Sequence, residues 1–244
     1  MAEPNPSEAG LDPLYAELVE TGSWVLAQLG QSLDGRIATG SGDSHYINGD
    51  EALTHLHRLR AAADAVLVGA GTVAADNPRL TVRRCPGQNP ARVVLDPRGR
   101  TRPDAAVWAA DGVRRLVFRA AAGPVPAGVE VVSLALTEGG FAPPDVIAAL
   151  RNRGFRRILV EGGAVTVSRF LSAGCLDRLH VAIAPLLIGD GPAGLVLPPV
   201  KRLADAPRPV ARVYRLGTDV LFDCDLRRGQ GQQVQVANHQ VQPA

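Results

Sequence analysis

The sequence predicts an α/β protein whose sheet is mostly parallel, and three features support this. Five short apolar runs end in glycine, aspartate or another polar residue, which is typical of strands buried on both faces. Segments with helical periodicity lie between these runs. The C-terminal part differs, because it holds two long strand-like runs with no helical pattern between or after them. We therefore expect a mixed sheet in which these C-terminal strands are antiparallel additions.

The predicted elements follow one another along the chain. A short amphipathic helix is expected in SEAGLDPLYAELVETG, where Ser7 is followed closely by a glutamate. The predicted strands are the runs 23–29, 63–70, 91–96, 115–120 and 156–163. The predicted helices are clearest at 48–62, 144–154 and 164–173. The two long C-terminal runs are 177–189 and 209–226.

The chain is expected to form one domain with two flanking segments. Residues 1–22 form an N-terminal extension that contains the short helix, and residues 23–227 form the domain itself. No linker within 23–227 is long enough to divide it. Residues 228–244 are polar and rich in glutamine, a composition that predicts a disordered tail.

Composition limits the classes of partner. The 244 residues are 46% hydrophobic with a mean hydropathy of +0.05, which supplies enough apolar material for a core. Basic and acidic residues are mixed along the chain, the formal net charge is +2, and aromatic residues make up only 4%. These values disfavour nucleic acid as a partner. No apolar run approaches the roughly 20 residues that cross a bilayer, so no membrane partner is expected.

The cysteines and histidines disfavour a disulfide framework and a metal site. The three cysteines, Cys85, Cys175 and Cys224, are far apart and suit a reducing cytoplasm. His55 and His57 lie two residues apart on a predicted helix and so point to different faces. The sequence also lacks the Gly-x-Ser-x-Gly nucleophile elbow and a P-loop with its Gly-Lys-Ser/Thr ending. It lacks the His-x-Glu and Pro-Cys-x-x-Cys motifs of zinc deaminases as well. We expect a cytoplasmic protein without a metal.

Polar residues follow one predicted strand in the segment LVEGGAVTVSRF. In open α/β sheets, ligands bind at the carboxyl ends of strands, where the N–H groups of helix amino termini point outward. Gly162 and Gly163 let a backbone approach a bound group closely, and the helix that begins near Ala164 offers amides to a pyrophosphate. A tight strand-to-helix turn without a ligand is an equally good interpretation of this pair of glycines.

Polar residues also follow a second predicted strand, in the segment VGAGTVAADNPRLTVR. Gly69 and Gly71 interrupt the apolar run, and Thr72 and Asp76 are candidate polar ligands. The alternative, slightly favoured for this segment alone, is a capped helical turn in which Thr72 and Asp76 only accept backbone hydrogen bonds.

The third region is the Gly/Ser-rich loop 31–49. Asp34-Gly35 is a strong turn signal, and a hairpin is its simplest interpretation. If the loops converge, Ser44, Arg60 and Arg83 combine one hydroxyl with two guanidinium groups, a set suited to a phosphate.

Taken together, four blocks closely resemble the reductase domain of the riboflavin-biosynthesis deaminase/reductase family. They are QSLDGRIATGSGDSHYI, HRLRAAADAVLVGAGTVAADNPRLTVR, ARVVLDPRGR and ILVEGGAVTVSRFLSAGCLDRLHVAIAPLLIGDGPAGL, which cover most of residues 30–195 in family order. Their Ser-Leu-Asp-Gly-Arg, Thr-x-x-x-Asp-x-Pro-x-Leu-Thr-x-Arg and Glu-Gly-Gly motifs are jointly specific. The resemblance implies a dihydrofolate-reductase-like fold, with a mixed sheet flanked by helices.

The resemblance also implies a reaction. NADPH would reduce the ribose of 5-amino-6-(5-phosphoribosylamino)uracil, or of its non-deaminated precursor, by hydride transfer to C1′ of the ring-opened sugar. A homodimer is implied as well, and the apolar run 180–188 either contributes to its interface or fills the core. Two alternatives use the same fold: a reductase of another heterocycle such as a dihydropterin, and a non-catalytic module that binds NADPH. NADPH oxidation with each candidate substrate would distinguish these hypotheses, because a non-catalytic module oxidises NADPH with none of them.

Motif matching assigns the site residues. Positions that match cofactor contacts are Gly30, Tyr46, Thr72, Asp76, Gly162, Gly163, Ala164, Val165, Thr166 and Arg169. Positions that match substrate contacts are Ser44, Arg60, Leu80, Arg83 and Glu161. Asp76 and Glu161 are the candidate catalytic carboxylates, which would orient the substrate or stabilise developing positive charge.

Three positions depart from the family pattern. Gln28 stands where the family usually has lysine, Tyr46 where many members have tryptophan, and Pro97 where a hydroxyl residue is frequent. Pro97 offers no hydroxyl to the cofactor, and Arg98 and Arg100 are candidates to replace a lost contact to its 2′-phosphate.

Overall fold

A computed structural model describes residues 12–120 and 123–227, and the strands in these ranges form one sheet. The strands are β1 Trp24–Ser32, β2 Ala65–Gly69, β3 Ala91–Leu95, β4 Arg115–Arg119, β5 Val129–Ser133, β6 Arg157–Glu161, β7 Arg178–Ala184, β8 Val210–Leu216 and β9 Asp219–Asp225. Their order across the sheet is β5-β4-β3-β2-β6-β1-β7-β9-β8. The predicted α/β class with a mostly parallel, mixed sheet is confirmed.

Helices cover both faces of this sheet. They are α1 Asp12–Thr21, α2 Asp50–Ala62, α3 Ala70–Asp76, α4 Pro143–Arg151 and α5 Ala164–Ser172. Because side chains alternate along a strand, Leu67 and Val160 pack into the cluster that includes residues of α4 and α5. Val66 and Leu159 face the other way, toward residues of α1 and α2. No helix in the described ranges is long and apolar enough to cross a membrane.

The C-terminal strands correct one prediction. The run that begins at 177 was expected to be antiparallel, but β7 pairs in parallel with β1, because α5 returns the chain across the sheet before β7 begins. The second long run is a hairpin, in which β8 and β9 pair antiparallel about Gly217. The φ angle of Gly217 is +63°, in the region that favours glycine at such turns.

One short strand, β5, was not predicted, and it forms the edge of the sheet beside β4. Helix α3 starts directly after β2, inside the segment for which a helical turn was the alternative interpretation. The α1 helix lies inside the segment expected to be helical, while Ser7 and the expected tail, 228–244, lie outside the described residues.

Candidate functional site

A cleft of about 620 Å³ opens where β1, β2 and β6 end, at the carboxyl edge of the sheet. Its walls come from the ends of these strands, the loop after β1, α2 and α3. The predicted site residues that line it are Gly30, Ser44, Tyr46, Arg60, Thr72, Asp76, Leu80, Glu161, Gly162 and Gly163. The structure therefore brings together residues assigned to two different ligands.

One wall is made by the two glycines after β6. Gly162 has φ +96°, and a Cβ there would lie 2.6 Å from Thr72 Oγ1, so packing and backbone conformation both require glycine. The N–H of Gly163 donates to Thr72 Oγ1 at 2.9 Å. Thr72 therefore accepts a backbone hydrogen bond, but from a donor outside its own helix and not as the cap of a helical turn, and it also lines the cleft.

Helix α5 begins at this wall without a side-chain cap. Its N-cap residue, Gly163, makes no side-chain hydrogen bond to the first turn. The first N–H groups of a helix have no partners within the helix and favour an anion. This end of α5 therefore fits the pyrophosphate of a dinucleotide.

The other predicted residues of α5 do not line the cleft. Ala164 is buried, Val165 is exposed, and Thr166 packs against Gly69, where a Cβ would lie 2.7 Å from Thr166 Oγ1. Arg169 donates to the carbonyl oxygens of Gly139 and Phe141, at 2.5 and 2.8 Å. The structure thus binds the Arg169 guanidinium to the loop before α4.

Gly30 is required by packing against Asn48. A Cβ at Gly30 would lie 1.8 Å from Asn48 Oδ1, which only glycine avoids. Asn48 is held by donation from Nδ2 to Asp219 Oδ2 at 3.0 Å and to the carbonyl of Ala182 at 3.2 Å. Two residues earlier, Tyr46 has φ +63° and is 87% exposed, so its ring is presented to solvent at the edge of the cleft.

Arg60 and Glu161 form a buried ion pair in the cleft. Arg60 donates from Nε to Glu161 Oε1 at 2.8 Å and from Nη2 to Oε2 at 2.7 Å. Burial opposes the charged form of Arg60, but the Glu161 carboxylate holds the pKa of the guanidinium above its usual value. Arg60 Nη1 also donates to the carbonyl of Thr81. The guanidinium edge that the sequence interpretation gave to a phosphate is therefore occupied by Glu161.

Arg83 lies outside the cleft lining, in an arginine-rich segment. Burial, together with the nearby guanidinium groups of Arg60, Arg79 and Arg84, lowers the pKa of Arg83. Its Nη1 donates to Thr81 Oγ1 at 2.6 Å. This concentration of positive charge suits an anion such as a phosphate.

A histidine that the sequence interpretation left without a role holds this segment to α2. The N–H of Arg83 donates to His57 Nδ1 at 2.8 Å, so this nitrogen carries no proton. Burial, aided by Arg60, Arg83 and Arg84, lowers the pKa of His57 to about 4. Helix α2 thus fixes Arg60 through its own chain and Arg83 through His57.

Ser44, Asp76 and Leu80 complete the side of the cleft near α3. Ser44 donates from Oγ to Asp76 Oδ1 at 3.3 Å, so these two predicted residues meet each other. Leu80 is only 2% exposed and has φ +54°, a conformation that costs free energy outside glycine. The fold keeps Leu80 in this conformation with its side chain packed in the core.

Gln28 is a feature whose role the sequence did not reveal. It pairs in register with Glu161 on one neighbouring strand and with His180 on the other, and it lines the cleft. Its side chain is only 8% exposed and forms no hydrogen bond with any residue of the described ranges. Because the amide lines the cleft and has no protein partner, it is available to hydrogen-bond a ligand group there.

The predicted Asp34-Gly35 turn also holds a neighbouring loop. Asp34 accepts from Ser32 Oγ and from the N–H groups of Ile188 and Gly189, and these hydrogen bonds lower the pKa of Asp34 to about 2. Arg36 Nη1 donates to the carbonyl of Gly191. The Ser-Leu-Asp-Gly-Arg motif therefore acts structurally, by fixing the loop after β7.

The chain is similar to proteins of one family. Residues 23–221 match the family model described as the RibD C-terminal domain. A 2,5-diamino-6-ribosylamino-4(3H)-pyrimidinone 5′-phosphate reductase of Methanothermobacter thermautotrophicus is 35% identical over 218 residues, which are 82% of this chain and 96% of that protein. The riboflavin biosynthesis protein RibD of Bacillus amyloliquefaciens is 36% identical over 189 residues, covering 73% of this chain and 50% of that protein.

The fold of this chain is also similar to that of a solved structure. The diaminohydroxyphosphoribosylaminopyrimidine deaminase/5-amino-6-(5-phosphoribosylamino)uracil reductase of Thermotoga maritima superposes with a TM-score of 0.72 at 29% identity. The superposition covers 88% of this chain and 60% of that one. The chain thus spans about half of the Bacillus protein and nearly all of the Methanothermobacter reductase.

Proposed function

Because this chain belongs to the RibD C-terminal domain family, we propose that it is an NADPH-dependent reductase of a phosphoribosylamino-pyrimidine in riboflavin biosynthesis. The substrate is 5-amino-6-(5-phosphoribosylamino)uracil or its non-deaminated 2,5-diamino precursor, which is reduced at C1′ of the ribose. The activities named for the Methanothermobacter and Thermotoga proteins support the proposal. We assign the activity to one reductase domain, residues 23–227.

The observation that carries this proposal is the convergence of two ligand sides in one cleft. Thr72, Gly162 and Gly163 form the side that fits a nucleotide, and Ser44 and Arg60 lie on the side assigned to the substrate. A hydride transfer requires both reactants to lie in contact within one cavity. A module that only binds a nucleotide has no need for the second side.

The nucleotide side fits a dinucleotide cofactor. The uncapped start of α5 lies beside Gly162, whose missing side chain leaves the backbone open to the cleft. When bound, NADPH supplies the hydride from C4 of its nicotinamide ring. The Thr72 hydroxyl, which already accepts the amide of Gly163, holds this wall in place and has its own proton to donate.

The preference for NADPH over NADH is assigned to the loop after β3. Asp96 accepts from the N–H groups of Arg100 and Thr101, each at 2.8 Å, and so folds this loop into a tight turn. The side chains of Arg98 and Arg100 are exposed on it, at the same edge of the sheet as the cleft. Two guanidinium groups there suit the 2′-phosphate that distinguishes NADPH.

The substrate side offers neutral and positive groups with separate tasks. The charges of Arg60 and Glu161 neutralise each other, and two nitrogens of Arg60 already donate to Glu161. The pair therefore shapes the cleft and does not bind the phosphate through these two nitrogens. We assign the phosphate to Arg83 and its neighbouring arginines, and a polar group of the pyrimidine or the ribose to Gln28. Glu161 and Asp76 orient the substrate through the groups that they hold, Arg60 and Ser44.

The test is NADPH oxidation by the purified protein, followed by its absorbance, with three compounds in parallel. They are 5-amino-6-(5-phosphoribosylamino)uracil, its 2,5-diamino precursor and a dihydropterin. Turnover of either pyrimidine supports the proposal, and product analysis must then show the ribityl chain. Turnover of the dihydropterin alone contradicts it. Tight NADPH binding without turnover of any compound identifies the protein as a nucleotide-binding module.

A dephosphorylated pyrimidine riboside provides the matched control for the phosphate. We expect its KM to be far higher than that of the phosphorylated compound, with little change in kcat, because the phosphate binds equally in the ground and transition states. The same assay with NADH tests the role of the loop after β3.

We also propose a cytoplasmic homodimer. Cys85, Cys175 and Cys224 are all free thiols, which supports a reducing compartment. The run 180–188 divides in two: the residues in β7 fill the core, whereas Leu186 and Leu187 are exposed. Leu197 and Leu203 are exposed on the following segment, and such apolar side chains favour association. Light scattering of the purified protein tests this state.

A further inference from the structure

A chain of buried hydrogen bonds joins helices α1 and α2 to the sheet. Tyr15 Oη lies 2.6 Å from His55 Nδ1, and His55 Nε2 lies 3.1 Å from His180 Nδ1. His180 Nε2 lies 3.2 Å from Asp223 Oδ1. Each of His55, His180 and Asp223 is at most 1% exposed. Every nitrogen of the two rings thus has a partner in this chain.

The carboxylate at the end of this chain fixes the direction of every hydrogen bond. Asp223 also accepts from Arg212 Nε at 3.1 Å, so it is ionised and only accepts. His180 must therefore carry its proton on Nε2 and accept on Nδ1. His55 must then carry its proton on Nε2 as well, and Tyr15 donates to His55 Nδ1. Both rings are neutral, and neither accepts a second proton without loss of a hydrogen bond.

The charged groups around the two rings act in opposite directions, because the nearby arginines disfavour protonation of the histidines whereas Asp223 favours it. Arg58 on α2 faces His55, while Arg178 on β7 and Arg212 on β8 face His180. Asp223 on β9 and Glu17 on α1 neutralise Arg178 and Arg212. Tyr214 on β8 lies in the same group. Burial is the largest effect and lowers the pKa of both histidines.

Helix α2 connects this chain to the cleft. It carries His55 toward the sheet, Arg60 toward Glu161, and His57 toward the backbone of Arg83. The segment that matches the family model begins at residue 23, so α1, which supplies Tyr15, lies before it. A displacement of α2 along the sheet changes all three contacts together.

We propose that Tyr15, which lies outside the cleft, is a positioning residue for the reductase site. Through His55 and His180 its hydroxyl fixes α2 against the sheet, and α2 in turn places Arg60 and Arg83. The effect on the substrate rests on the function proposed above, whereas the effect on α2 does not. The matched pair of variants is Tyr15→Phe and Tyr214→Phe, because the Tyr214 hydroxyl lies nearby and forms no hydrogen bond with the described residues.

Nuclear magnetic resonance of the full-length ¹⁵N-labelled protein tests the donor and acceptor assigned to each of these hydrogen bonds. Long-range ¹H–¹⁵N correlations distinguish the tautomers of a neutral imidazole. We expect both His55 and His180 as Nε2–H forms that stay neutral when the pH is lowered below the ordinary histidine value of 6.5. An Nδ1–H form of either ring, or titration of either ring near 6.5, overturns the inference.

Hydrogen exchange and kinetics test the positioning. In Tyr15→Phe we expect faster amide exchange in α2 up to Arg60, and a KM for the phosphorylated pyrimidine raised about three- to tenfold, the value of one hydrogen bond. In the same variant the Kd for NADPH should change little, and the loss of kcat/KM at acid pH should begin at a higher pH than in the unaltered protein. The control variant Tyr214→Phe should behave like the unaltered protein. Unchanged exchange in α2 overturns the inference even if no substrate is reduced. Faster exchange with an unchanged KM overturns it too, and an unaltered protein without turnover refutes the proposed function separately.

Discussion

Arg60 and Glu161 meet through two parallel hydrogen bonds, although they lie 101 positions apart in the sequence. The side chains are only 8% and 6% exposed, so each charge depends on the other for its compensation. This pair fixes α2 to the end of β6 and sets the charge of the substrate side of the cleft.

Loss of one partner of this pair should destabilise the protein strongly. We expect Glu161→Gln to lower the free energy of unfolding by about 3–5 kcal/mol, because the buried guanidinium loses its counter-charge. Unfolding in urea measures the change. The double variant Arg60→Met/Glu161→Leu should recover much of the loss, and equal losses in the single and double variants would contradict the pairing.

Thr72 should affect the cofactor more than the substrate. We expect Thr72→Val to raise the Kd for NADPH about tenfold, since it removes the acceptor for the Gly163 amide and a hydroxyl from the cleft. Fluorescence titration with NADPH measures this Kd. Thr72→Ser keeps the hydroxyl and should restore most of the affinity, whereas a larger effect on substrate KM than on cofactor Kd would contradict this assignment.

Gln28 should trade stability against substrate binding. Gln28→Leu removes an amide that has no protein partner and puts an apolar side chain at a position that is only 8% exposed, so we expect a Tm that is unchanged or higher. The KM for the pyrimidine should rise about tenfold because a hydrogen bond to the ligand is lost. Gln28→Asn is the conservative control. A lower Tm with an unchanged KM would show that Gln28 serves only the fold.

Arg83 should act on the phosphate. We expect Arg83→Ala to raise the substrate KM by about tenfold or more while leaving the Kd for NADPH nearly unchanged, since a charged hydrogen bond is lost on one side only. Arg202→Ala is the matched control, because Arg202 is exposed, pairs with Asp205 at 2.8 Å and does not line the cleft. Equal effects of Arg83→Ala on both ligands would refute the role.

His57 should make the protein less stable in mild acid. Its pKa is lowered from 6.5 to about 4 in the folded state, so between these pH values the unfolded chain binds more protons than the folded one. The stability contributed by neutral His57 is complete above pH 6.5 and is lost as the pH falls toward 4. Urea unfolding across this range measures the slope.

His57→Asn supplies the control for that pH dependence. The asparagine side chain can still accept the N–H of Arg83, but it does not titrate. We expect the stability of this variant to depend less on pH than that of the unaltered protein. An identical slope in both proteins would mean that His57 is not the titrating group.

By itself the sequence determined the α/β class, the mostly parallel sheet and the strand ends at which the cleft lies. These follow from local properties, since apolar periodicity and glycine at strand ends act within a few residues. The direction of β7 was wrong, because a strand's partner depends on the crossover that precedes it and not on its own residues.

The tertiary structure alone decided which groups meet. Arg60 faces Glu161 and not a ligand phosphate, and Gly30 is glycine because Asn48 occupies its Cβ position. The side chain of Gln28 has no hydrogen-bond partner in the described ranges. The Tyr15–His55–His180–Asp223 chain is likewise invisible in the sequence. The physical reason is that a buried polar group needs a hydrogen-bond partner at a suitable distance and angle. The spacing of residues along the chain does not give these distances and angles.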